Sequence, residues 1–166
     1  MRSTKKKYNT QYKKRVLERD PYLPLLAAKG VIQCAGCGAF CYHGRWSLDA
    51  PKALTPPAPR LIQCPACRKI RDRYPGGELH LLELEASDRN ELAKILRNEE
   101  ERARLKNPLE RIMTLQARNG GWRVETTTEK LAQRLGRSVK KARGGKLVYK
   151  WGHNNKFIRV EWQPTK

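Results

Sequence analysis

Hydrophobic positions in the second half of the chain change period in a regular way, and the changes mark elements. Leucines at 79, 81 and 82 make Glu78–Glu83 a short strand. Asp88 to Lys106 predicts a helix, with Ser87 or Asp88 as N-cap and Pro108 as the stop. Its apolar stripe (Leu92, Ile95, Leu96, Ala103) is narrow, so most of that helix should face water. Glu100 and Arg104 stand in the favourable i,i+4 order. Arg111–Ala117 and Trp122–Thr126 flank Asn119, Gly120 and Gly121, which predicts a β-hairpin.

Thr127 or Thr128 then caps a second helix, whose apolar positions Leu131, Ala132, Leu135, Val139 and Ala142 share one face. Lys130, Arg134, Arg137 and Lys141 gather roughly opposite, an outer face able to lie along a phosphate backbone. Gly144 and Gly145 end the helix. Lys146–Trp151 and Phe157–Trp162 predict a final hairpin, with Leu147, Tyr149 and Trp151 on one strand face and Ile158, Val160 and Trp162 on the other strand's; these aromatics are expected in the sheet core. The order β-α-β-β-α-β plus a strand predicts an α+β, ferredoxin-like domain, a common RNA-binding scaffold. A winged helix competes: Leu131 to Ser138 also fits the first helix and turn of a helix-turn-helix, with the last hairpin as wing.

The first half is organised by cysteine. Cys34 and Cys37 form one Cys-x-x-Cys pair, and Cys64 and Cys67 a second. Two intervening residues let one tight turn aim both sulfurs at a single ion, and two such turns make a tetrahedral four-sulfur site suited to zinc. Each pair follows Ile-Gln (Ile32-Gln33 and Ile62-Gln63), so each knuckle is expected to end a short strand alike. Gly38 supplies the left-handed conformation that such turns need. Nothing points to an oxidising compartment, a thioredoxin-like frame or an iron–sulfur spacing. Cys41 is left over as a free thiol. One structural Zn2+ is therefore expected; with four protein thiolates, no position remains for water or substrate. Prolines 51, 56, 57 and 59 predict a stiff finger between the knuckles. Arg45, Arg60, Arg68, Lys69, Arg71 and Arg73 surround the metal turns, with Tyr42 and Trp46 beside them.

Charge then names a class of partner. The chain of 166 residues has 36 Lys+Arg against 16 Asp+Glu, a net formal charge of +20. The balance alternates by segment: +7 over residues 1–33, +5 over 34–77, −3 over 78–110 and +11 over 111–166. That pattern suits a folded protein with a basic face, and its partner should be a polyanion. Lys5, Lys6, Lys7, Lys13, Lys14 and Arg15, interleaved with Tyr8 and Tyr12, predict a flexible basic arm over 1–29, ahead of a zinc ribbon (30–77) and an α+β RNA-binding domain (78–166). No run approaches the roughly 18 apolar residues of a membrane span. The lysines at 5–7 are followed by no apolar stretch, so the expected location is cytoplasmic, without membrane partners.

The paired knuckles, the run from Cys64 to Gly77 and the Thr-Thr-Thr-Glu-Lys-Leu-Ala segment at 126–132 resemble a group of short bacterial zinc-ribbon proteins. In layout, the chain more distantly resembles the zinc-binding and α+β region of the large-ribosomal-subunit nuclear export adaptor. The resemblance implies ribosomal RNA as partner, with Cys34, Cys37, Cys64 and Cys67 as ligands. The sequence thus leads to a structured-RNA-binding protein of the ribosome or a ribosomal subunit, with ribosomal proteins as further partners. It would use Arg45, Trp46, Arg68, Lys69, Arg71, Arg73, the basic arm and the basic helix face. A DNA-binding regulator and a zinc-ribbon protein-interaction adaptor are the alternatives. No phosphate-cradling glycine loop or nucleophile–base spacing is present, so neither catalysis nor a small-molecule substrate is expected.

Overall fold

The computed structural model describes residues 21–22, 30–52, 58–152 and 157–165. Two sheets and three α-helices follow one another in a mixed α+β chain: β1 (Ile32–Cys34), β2 (Phe40–Tyr42), β3 (Arg45–Ser47), β4 (Arg60–Ile62), α1 (Pro65–Asp72), β5 (Gly77–Leu81), α2 (Arg89–Lys106), β6 (Ile112–Arg118), β7 (Gly121–Thr126), α3 (Glu129–Arg143), β8 (Lys146–Trp151) and β9 (Ile158–Gln163). The basic-arm residues Lys5, Lys6, Lys7, Lys13, Lys14 and Arg15 lie outside the described residues, as do 53–57 of the expected finger.

The small sheet has the order β3-β2-β1-β4, with β1 parallel to β4 and antiparallel to β2. Its β2–β3 hairpin turns over His43 and Gly44, both at positive φ. An ordered hairpin thus fills the first part of what the sequence presents as one extended finger. Aromatic residues at 40, 42 and 46 suit the pleated surface it makes.

The larger sheet has the order β6-β7-β5-β9-β8. Its central strand β5 pairs antiparallel with β7 and parallel with β9. The last strand does not add at an edge; β9 enters between β5 and β8. Alternation along the strands puts Leu79, Leu81, Val124, Ile158, Val160 and Trp162 on one face. Leu92 and Leu96 of α2 and Leu131, Leu135 and Val139 of α3 close over them. The opposite face is polar. Glu78, 3% exposed, is held there by Arg123, by Arg159 Nε at 3.2 Å and by His80 Nε2 at 2.8 Å. These partners outweigh burial and hold the Glu78 carboxyl below its ordinary range.

Several local expectations change. β5 stops at Leu81, and Glu83 sits at φ 52°, so the chain turns where a strand was expected to run on. Glu100 does not pair with Arg104; its Oε1 accepts from the backbone N–H of Ile112 at 2.8 Å. Ala142 is exposed near the end of α3. The winged-helix parse needs a break at Gly136, but α3 is continuous there and Gly136 is buried. Its missing Cβ matters: one would lie 2.8 Å from Val160 Cγ1 and 3.1 Å from Leu147 Cδ1, so glycine lets the helix settle onto the sheet. Tyr149 and Trp151 are 40% and 49% exposed rather than buried, because β8 is an edge strand that α3 reaches at Leu147 without burying these two rings.

Candidate metal centre

Cys34 closes β1, and Gly38 follows the first knuckle at φ 74° as the spacing predicts. The turn is closed by the Gly38 N–H donating to the Cys34 carbonyl at 2.9 Å. The second knuckle is built differently. β4 ends at Ile62, and Cys64 becomes the N-cap of α1, its sulfur accepting from the Cys67 N–H at 3.3 Å. Pro65 at the first helical position suits that start. The two Ile-Gln-Cys repeats are therefore not equivalent: one ends a strand, the other opens a helix. Within the helix it is the Cys67 N–H that points at the Cys64 sulfur, a contact that lowers that thiol against the opposing effect of burial.

The four sulfurs of Cys34, Cys37, Cys64 and Cys67 lie within 4.8 Å of one another. Those of Cys37 and Cys64 are 3.7 Å apart. Zinc–sulfur bonds of 2.3 Å at tetrahedral angles require sulfurs about 3.8 Å apart, so the set fits such an ion. Cys34 Sγ also accepts from the N–H groups of Cys64 at 3.2 Å and Gly36 at 3.4 Å. Burial pushes the Cys34 thiol up, but hydrogen bonding to the Cys64, Cys37 and Gly36 amides and to the Cys37 side chain outweighs it and brings it down to about 6. Burial dominates at Cys64 and Cys67, whose thiols are pushed up. Cys41 is buried in β2 outside the four-sulfur group.

Residues distant in sequence complete the centre. Arg111 Nη1 donates to Cys67 Sγ at 3.3 Å, and Leu109 packs against the knuckles with Trp46. Thr127, 1% exposed, joins the two units. Its hydroxyl donates to the Leu109 carbonyl at 2.6 Å, and its own carbonyl accepts from Lys69 Nζ at 3.1 Å. Nothing local in the sequence marks Arg111 or Thr127 as neighbours of the cysteines. The helix α1 had one local signal, Pro65, a residue suited to the first position of a helix.

The cations expected to meet nucleic acid divide into two sets. Arg68 donates to the Pro21 carbonyl at 2.9 Å and lies 5.3 Å from the Tyr22 ring, while Lys69 turns inward to Thr127. Arg71 binds Asp72 and Gln63. Arg134 is not an outer-face cation: it pairs with Glu99 of α2 at 2.8 Å and approaches Glu110 at 3.7 Å. A long side chain beside a packed helix finds the acids there before it finds solvent. Trp46 is half-buried against the knuckles. Arg45, Arg73, Lys130, Arg137 and Lys141 are exposed and make no ion pair among the described residues. No helix among the described residues is long and apolar enough to cross a membrane. The chain matches no family model, no curated protein and no solved structure.

Proposed function

We propose that this chain is a zinc-ribbon protein that binds structured RNA, with ribosomal RNA on the ribosome or one of its subunits as target. The observation that carries the reading is the uncompensated charge of +20. It has a local counterpart on α3, where Lys130, Arg137, Lys140 and Lys141 are exposed without acidic partners among the described residues. Such a face neutralises phosphates and releases their counterions. Zinc is the ion proposed for the four cysteines. With all four positions taken by thiolate it would be structural, holding the knuckles and the cations around them. The larger sheet is read as a ferredoxin-like alternation with one inserted strand, presenting a basic helix to the RNA.

Sedimentation of cell lysate through sucrose at low and high salt tests the reading. Co-migration with a ribosomal particle, released by salt, is the expected result. Recovery at the top of the gradient or on chromosomal DNA would reject it. With purified protein, four phosphate contacts predict a slope of log K on log[salt] of about −3 to −4. A flat dependence would show that charge does not drive binding.

A further inference from the structure

We propose that Tyr149 and Trp151 of β8 form a platform on which unpaired RNA bases stack. The inference rests on the RNA-binding reading above and specifies the part of the target that this surface takes. Tyr149 pairs across the sheet with Val160, and Trp151 with Ile158. Both partners are fully buried under α3, so the two rings stand on the helix-covered face. α3 packs over β5 and β9, and near Gly136 it also roofs Leu147. Beyond Leu147 the roof stops, and the two rings are left 40% and 49% exposed at the sheet edge. Residues i and i+2 on a strand are about 7 Å apart, which leaves room for a flat base against each ring.

Charge selects the occupant. Residues 111–166 contain 14 Lys+Arg and only 3 Asp+Glu. Two of those acids are already paired, Glu125 with Arg123 and Glu161 with Lys150. α3 carries the exposed cations Lys130, Arg137, Lys140 and Lys141 and touches β8, the strand that bears the rings, so phosphate-contacting charge is available on the adjoining element. Aromatic faces next to uncompensated cations are the chemistry that holds single strands, because every base has a stacking face and every nucleotide a phosphate. A duplex hides its base faces, so the platform should distinguish unpaired from paired RNA.

The test uses the full chain with zinc bound, an unstructured ten-nucleotide RNA and a blunt RNA duplex, read by fluorescence anisotropy over a salt series. Trp151→Ala is expected to weaken single-strand binding about tenfold. Duplex binding and the salt slope should stay unchanged, and Trp151→Phe should retain most of the single-strand affinity. Tyr149→Ala should act in the same direction. Wild-type single-strand affinity in Trp151→Ala and Tyr149→Ala would overturn the platform while leaving RNA binding in place. Equal losses on both RNAs, with a lowered melting temperature, would also overturn it by making the rings structural. Failure of the unsubstituted protein to bind either RNA at low salt would remove the RNA-binding reading, and the platform with it.

Discussion

The ribbon and the five-stranded unit solve the problem of burial in opposite ways. Around the four sulfurs the packed set is small: Cys34, Cys64 and Ala66 are buried, with Cys37, Cys67, Trp46 and Leu109 against them. The larger unit has a continuous core that includes Leu79, Leu81, Leu92, Leu96, Leu131, Leu135, Val124 and Val160. A unit spanning only residues 30–77 buries little apolar surface to offset the entropy of its own chain, and one ion held by the four clustered cysteines would supply the deficit. The larger unit needs no ion, because two helices and one sheet face cover each other. The comparison teaches where each region is vulnerable: the ribbon at its ligands, the sheet unit at its packing.

The strongest way to break the comparison is to empty or disrupt the four-cysteine site. Metal binding in small zinc domains contributes about 10 kcal/mol or more to folding. Cys64→Ser, or chelation of the wild type, should therefore unfold residues 30–76 and leave amides of β5, β7 and β9 protected, as read by hydrogen exchange and metal analysis. Equal metal content in Cys64→Ser and wild type would contradict the ligand set. Acid should act in the same direction. Cys64 and Cys67 have thiols raised by burial, so metal binding must expel their protons and the affinity should fall as pH is lowered.

Damage to the other side should spare the metal. Leu135→Ala removes a fully buried side chain beneath α3 and should cost about 2–5 kcal/mol in urea unfolding, with metal content unchanged. Glu78→Gln should cost less, about 2 kcal/mol at neutral pH, because its cationic partners are themselves partly hydrated. The Glu78 carboxyl is depressed in the fold, so its contribution is complete above the ordinary carboxylate range and is lost as pH falls through the lower folded value. The Gln variant should accordingly show a flatter stability profile on the acid side; a profile parallel to wild type would mean that other carboxylates govern it. Arg111→Gln probes the seam between the regions and carries the smallest expected effect. Losing the donor to Cys67 should weaken metal binding about tenfold, measured by competition with a chromophoric chelator. Unchanged affinity would make the Arg111–sulfur contact incidental.

Much of this architecture is legible locally. The Asn119–Gly120 turn lies at positive φ at both residues and joins β6 to β7. Thr128 caps α3 through its hydroxyl to the Leu131 N–H at 3.2 Å. These features depend on a few adjacent residues whose preferences agree. The helix α1 escaped because the cysteine spacing explains Cys64 and Cys67 equally well with a bare turn, and eight residues carry little periodic signal. The cations were the least legible part. Arg134 and Arg137 share a helix face in sequence, yet one is paired to α2 and the other is free in solvent.

The sequence by itself determined the alternation of strands and helices after residue 77, the four sulfurs brought together and the size of the positive charge, since each depends on residue type and short-range spacing. Tertiary structure alone decided that β9 enters the sheet beside β5, that Arg111 reaches Cys67, that Arg134 is neutralised, and that Tyr149 and Trp151 are left uncovered at an edge. A strand's neighbours and a side chain's partners are chosen by which surfaces the whole chain brings together, and residues tens of positions apart leave no mark on local spacing.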